Sequence, residues 1–105
     1  MKSDYCVVLT TFTDDENGQL IINSLIKEHL AACIQVQAIK SYYRWKGTVH
    51  CDDEKLLFIK TKQSLYLEVE KNILVHHAYE TPEIIQLPIT GGFIGYLDWI
   101  EDECR

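Results

Sequence analysis

Residues 33–62, CIQVQAIKSYYRWKGTVHCDDEKLLFIKTK, decide the fold. Cys33 to Trp45 and Val49 to Lys62 are each rich in β-branched and aromatic residues, the composition that suits a pleated, half-buried surface. Between them, Lys46-Gly47 supplies a residue able to take positive φ without a steric penalty, so the two runs are predicted to form a long β-hairpin. Within the second run, Leu56-Leu57-Phe58-Ile59 is apolar at four successive positions. Side chains alternate between faces along a strand, so both faces of this strand need cover. One face can pack on the domain's own helices. The other requires a partner, which points to an oligomer.

Upstream of the hairpin, Tyr5 to Phe12 reads as a strand. Thr13-Asp14-Asp15-Glu16 matches a capping box, in which the Thr13 hydroxyl accepts from the Glu16 N–H and the Glu16 carboxylate reaches back. Ile21, Ile22, Leu25, Ile26 and Leu30 follow at helical spacing, with Gly18 weakening the first turn. Downstream, Leu65, Val69 and Ile73 mark a second amphipathic helix over Ser64 to His76. Ile84 to Ile89 is a short strand whose Pro88 belongs at an edge or in irregular structure. Gly91-Gly92 interrupts the chain, and Phe93 to Glu103 closes it with a helix presenting Tyr96, Leu97 and Ile100. The order is βαββαβ plus a C-terminal helix. That is the α+β, ferredoxin-like sandwich, an antiparallel sheet with two helices on one face, here as a single domain over residues 1–105.

Composition narrows the function. The chain has 105 residues and a formal net charge of −6, with its basic residues scattered rather than clustered. Its average field repels polyanions, so nucleic acid is not an expected partner. No apolar run approaches the about 18 residues that span a bilayer, and no basic segment followed by an apolar stretch opens the chain. The expectation is a soluble, cytoplasmic protein without a membrane partner. Cys6, Cys33, Cys51 and Cys104 form no CxxC pair and sit in or beside apolar segments, so they read as buried reduced thiols rather than a disulfide framework.

Several groups of residues carry potential chemistry. His76 and His77 offer two imidazoles, ligands suited to Cu(II), Zn(II) and Ni(II). Adjacent residues diverge by about 100° on a helix, so the pair chelates one ion only where the helix unwinds or where other subunits add donors. The alternative role is favourable contact with a helix C-terminus and its last carbonyls. His50-Cys51-Asp52-Asp53-Glu54 is a second donor-rich run, read as a solvated loop because no spacing in it fixes a geometry. Glu80 and Glu83, with Tyr79 and Lys60, permit either a general-base arrangement or groups that satisfy one another in a pocket; the second is preferred, and no catalytic residue is assigned. Gly91-Gly92 lacks the Lys and Ser/Thr of a phosphate-cradling loop. Tyr42, Tyr43, Trp45 and Trp99 read as aromatic packing at a subunit interface.

The ordered set Leu30-Ala31-Ala32-Cys33, Tyr42-Tyr43-Arg44-Trp45-Lys46-Gly47, Ile59-Lys60-Thr61, His76-His77-Ala78-Tyr79-Glu80-Thr81-Pro82-Glu83 and Tyr96-Leu97-Asp98-Trp99 resembles the CutA family of divalent-cation-tolerance proteins. The resemblance runs from about Val7 to Trp99. It implies ferredoxin-like subunits closed into a homotrimer, with long hairpin strands pairing across subunit boundaries. It also implies a non-enzymatic role in tolerance to copper and other divalent ions. The family's copper ligands, a Cys at the end of the first strand and two adjacent His after the second helix, fall here on Thr10 and on His76 and His77. Thr10 is a departure, because a hydroxyl does not replace the soft thiolate that favours Cu(I). Cys6 lies four residues away along the strand, about 13 Å at ~3.3 Å per residue, and cannot take over. The family's intersubunit pocket would fall on Cys33, Lys60, Tyr79, Glu80 and Glu83, where a small anionic ligand could bind. The resulting expectation is a trimeric divalent-metal protein with Cu(II) or Zn(II) at His76 and His77. The alternative is a small-molecule-sensing trimer resembling the nitrogen-regulatory signalling proteins.

Overall fold

The computed structural model describes residues 4–105 of the chain. Strand β1 (Tyr5–Phe12) leads into helix α1 (Asp15–Lys27), followed by β2 (Cys33–Trp45) and β3 (Thr48–Lys62). A short 3-10 turn (Gln63–Leu65) opens α2 (Tyr66–His76), and β4 (Ile84–Ile89) and α3 (Ile94–Glu103) complete the chain. The strands form one sheet in the order β2-β3-β1-β4, and every neighbouring pair is antiparallel. This is the ferredoxin-like arrangement expected from the element order.

The hairpin turn is built as its residues require. Lys46 and Gly47 both take positive φ, 49° and 79°, and Trp45 pairs with Thr48 across them. Two consecutive left-handed residues match the right-handed twist of the flanking strands. The ladder β1–β3 runs only from Tyr5 opposite Lys62 to Phe12 opposite Lys55, whereas β2–β3 continues to the turn. Residues 40–53 therefore project as a two-stranded ribbon, and the long axis of the chain reaches 44 Å. The run His50 to Asp53 lies within this ribbon and Glu54 stands at its base, all in β3. The loop expected there is instead a strand, because cross-strand pairing to Tyr43, Tyr42 and Ser41 satisfies its backbone. Of the thiols expected to be buried, Cys6 and Cys104 are, but Cys51 is exposed and Cys33 is half-buried, because Cys51 lies on the ribbon beyond β1 and Cys33 on the sheet face opposite the helices.

The core lies between the sheet and the helices α1 and α2. Cys6, Val8, Leu57 and Ile59 from the sheet meet Ile21, Leu25, Val69 and Ile73 from the helices, all of them fully buried. Leu56 and Phe58 alternate with Leu57 and Ile59 and are only half-buried on the opposite face. Ile85 and Leu87 of the edge strand β4 are 46% and 47% exposed. An open apolar sheet face is thus a property of the isolated chain.

Both ends of α1 differ from the expected signals. The N-cap is Asp14, whose Oδ1 accepts from the Glu16 N–H at 2.9 Å, and not Thr13. A carboxylate is the stronger acceptor and complements the helix dipole. Leu30 lies beyond the helix, which ends in a Schellman motif: His29 takes φ 56°, its N–H reaches the Ile26 carbonyl at 3.1 Å, and the Leu30 N–H reaches the Leu25 carbonyl at 3.0 Å. Leu25 and Leu30, both buried, supply the hydrophobic contact usual for that motif. Gly18 does more than weaken the helix. A Cβ there would come within 2.2 Å of the Phe12 ring, so glycine lets α1 approach β1.

Candidate metal and ligand site at the end of α2

The two histidines occupy the last turn of α2 and its C-cap, where carbonyls lose their helical partners. The Asn17 side chain of α1 serves this end. Its Nδ2 donates to the His76 carbonyl at 2.6 Å, and its Oδ1 accepts from the Ala78 N–H at 3.2 Å. A polar residue inside a helix is a weak sequence signal, and nothing in the sequence ties Asn17 to residues 59 positions away.

The hydrogen bonds define two different imidazoles. Nδ1 of His76 lies 2.8 Å from the Asn72 carbonyl, a pure acceptor, so Nδ1 carries the proton. The lone pair of His76 then resides on Nε2. His77 adopts the opposite tautomer. Its Nε2 donates to the Thr11 carbonyl at 2.7 Å, and its Nδ1 accepts from the Tyr79 N–H at 3.0 Å. Both nitrogens of His77 are therefore committed inside the chain, and only His76 keeps a donor atom for a metal.

The cap residue His77 has extended backbone (φ −73°, ψ 138°), which turns the chain away from the helix. The segment beyond it is held by Tyr79, whose ring lies 4.6 Å from the His77 ring, centroid to centroid. The Tyr79 hydroxyl donates to Glu54 at 2.6 Å. Burial, followed by this bond to a carboxylate, pushes the Tyr79 phenol up to about 12. Glu80 and Glu83 are exposed in the connection to β4.

The expected pocket residues fall into two groups within one chain. Cys33 and Lys60 are cross-strand partners near one end of the sheet. There the Lys60 ammonium donates to Gln35 at 2.8 Å and lies 5.6 Å above the Tyr96 ring. Tyr79 sits at the opposite end, against Glu54, six residues from Lys60 along β3. That is about 20 Å at ~3.3 Å per residue. Lys60 thus cannot serve Glu80 or Glu83 inside one chain, and the five residues can meet only across a boundary between chains. Beside Glu54 a cleft of about 490 Å³ is lined by Thr13, Asp15, Ile39, Lys40 and Lys55. Its charges are already paired, Lys55 with Asp15 at 2.6 Å and Lys40 with Asp53 at 3.6 Å. A second cleft of about 230 Å³ borders His76 together with Glu28, Glu68 and Asn72.

Thr10 is fully buried in β1, opposite Leu57 and Ile84, and its hydroxyl has no hydrogen-bond partner. Among the described residues, no group of three or more His, Cys, Asp and Glu side chains is arranged to hold a metal ion. The His76–His77 pair therefore presents one imidazole lone pair, not a closed metal site.

The sheet order, the overhanging hairpin and the histidine pair at the end of α2 define a ferredoxin-like protein whose candidate cation donors are incomplete in one chain. The comparison with known proteins makes the class specific. The profile of the CutA1 divalent ion tolerance protein matches residues 6–103, and the chain belongs to that family. It is 44% identical over 100 residues to the chloroplastic CutA protein of Arabidopsis thaliana, covering 94% of this chain and 55% of that protein. The chain thus spans about half the length of such plant relatives. It is 39% identical over 97 residues to the divalent-cation tolerance protein CutA of Thermus thermophilus, covering 91% of this chain and 94% of that one. The crystal structure of CutA1 from Oryza sativa superimposes with a TM-score of 0.92 at 39% identity, covering 98% of this chain and 95% of that chain. Among the described residues, no helix is long and apolar enough to cross a membrane.

Proposed function

We propose that the chain acts in divalent-cation tolerance as a homotrimer that binds a copper-type divalent ion. His76 Nε2 is the donor each subunit contributes, and His77 positions it. The observation that carries this reading is the difference between the two imidazoles: one keeps a free lone pair, and the other is consumed by Thr11 and Tyr79. Imidazole suits Cu(II) and Zn(II) alike, so binding through His76 is weakly selective. With Thr10 sealed in the core, no thiolate at that position biases the site toward Cu(I). The remaining donors come from other copies of the chain.

Assembly is supported by what one chain leaves open. Leu56 and Phe58 face away from the core, the ribbon over residues 40–53 has no neighbouring strand, and Tyr42 at its tip is 72% exposed. A two-stranded ribbon is marginal by itself in water. No reaction is assigned to the chain. Its relatives include a chloroplastic protein and one described as periplasmic; the four free thiols favour a reducing compartment such as the cytoplasm. A second reading, small-molecule sensing between subunits, draws on the division of Cys33 and Lys60 from Tyr79, Glu80 and Glu83. A ligand at that boundary would join the two groups.

Calorimetric titration with Cu(II) and with Zn(II) tests the assignment. His76→Ala is expected to lose the binding heat, whereas His77→Ala keeps binding with reduced thermal stability. Unchanged binding by His76→Ala would overturn it. A metal-free small anion that raises the thermal midpoint would support the sensor instead.

A further inference from the structure

Two buried thiols lie outside the cation chemistry. Cys6 of β1 and Cys104, the C-cap of α3, are 0% and 7% exposed. Thr61 brings them together. Cys6 is the cross-strand partner of Thr61, so their side chains stand beside each other on the helix-covered face of the sheet. The Sγ of Cys104 lies 3.8 Å from the Thr61 Oγ1. The Thr61 hydroxyl gives its single proton to the Leu30 carbonyl at 2.6 Å, so the resting Cys104 thiol donates across that contact. Cys104 has extended backbone (φ −94°, ψ 149°), outside the regular turns of α3, so a change of its side-chain rotamer leaves the helix backbone intact. Cys33 is on the opposite sheet face beside Lys60, and Cys51 is on the ribbon, so neither competes for this pairing.

We propose that Cys6 and Cys104 form a reversible disulfide under peroxide, locking the C-terminal end of α3 onto β1. Cys104, the more accessible of the two, attacks a peroxide oxygen as the thiolate. The O–O bond breaks, a sulfenic S–OH forms, and the first water leaves with the proton of the thiol. The Cys6 sulfur then attacks the Cys104 sulfur. The S–S bond forms, the S–O bond breaks, and the second water leaves with the Cys6 proton. Two thiols lose two electrons and one hydrogen peroxide becomes two waters; an external dithiol reverses the step. Burial, with the neighbouring Cys104, pushes the Cys6 thiol up to about 11, and burial raises the Cys104 thiol as well. The pair is therefore mostly protonated at neutral pH and responds to sustained oxidant rather than to a brief pulse.

The test treats the full chain with hydrogen peroxide, alkylates the remaining thiols, and maps the products by mass spectrometry without reduction. The expected result is loss of two hydrogen atoms from the intact chain and one cross-linked peptide pair containing Cys6 and Cys104. The thermal midpoint should rise on oxidation and return with dithiothreitol. Cys104→Ala, at a helix cap, should abolish both changes while Cys51→Ser retains them. Cross-links only through Cys33 or Cys51, oxygen added to Cys104 without a cross-link, or no oxidation of the pair would each overturn the proposal. The mapping on the unmodified sequence stands even where a core variant such as Cys6→Ser folds poorly.

Discussion

The chemistry of single residues separates neighbours that the sequence presents as equals. His76 and His77 differ by one position and by every hydrogen bond they make. Their adjacency was legible in the sequence, and so was the difficulty of chelating one ion with both. Which imidazole remains free was not, because Asn72, Thr11 and the Tyr79 N–H choose the tautomers through contacts that only folding creates. Thr10 is a second case. The sequence identifies it as the residue in place of a cysteine, while the structure shows a buried hydroxyl without a partner. An unmet buried polar group costs about 1–3 kcal/mol. Thr10→Val is therefore expected to raise the unfolding free energy by about 1 kcal/mol, read from urea denaturation. Tyr79 supplies a pH-dependent term. Its phenol lies at about 12 in the folded chain against 10.0 for the ordinary value, so the folded state holds the proton more tightly. That contribution is complete below pH 10 and is lost as the pH rises toward 12. Tyr79→Phe should flatten the fall in stability across that window, and an unchanged alkaline slope would remove Tyr79 as its cause.

Among the elements, those that rest on local pattern were readable from the sequence. Alternation and the Lys46-Gly47 turn specify the hairpin, and spacing of apolar residues specifies α1 and α2. The ends were less legible. Asp14 displaces Thr13 as the cap of α1, and a Schellman motif around His29 stops the helix before Leu30. Such choices rest on competition between chemically similar neighbours, which spacing does not resolve. The end of α2 depends on a tertiary cap. Asn17 binds the carbonyl of His76 and the N–H of Ala78, so Asn17→Ala removes two hydrogen bonds at once. The expected cost is about 1–3 kcal/mol, with hydrogen exchange accelerating first at the amides of residues 76–79. Equal protection in the variant and the parent would show that the cap does not hold this segment.

On the scale of the whole molecule, one chain leaves half of its sheet unfinished. Its sheet buries one face against α1 and α2 and leaves Leu56, Phe58, Ile85 and Leu87 on the other. Its ribbon extends beyond β1 without a neighbour among the described strands, and its His76–His77 pair leaves one imidazole nitrogen free. The four apolar residues in a row at Leu56–Ile59 announced the open face in the sequence; the separation of Lys60 from Tyr79 required the register of the sheet. The proposed trimer would bury Phe58 in an interface, where a charge is costly, so on that reading Phe58→Asp dissociates the assembly and abolishes cation binding together. The most direct measurement is light scattering on the unmodified chain at micromolar concentration. A single species of three times 12.2 kDa is expected, and a stable species of 12.2 kDa would rule out the trimer.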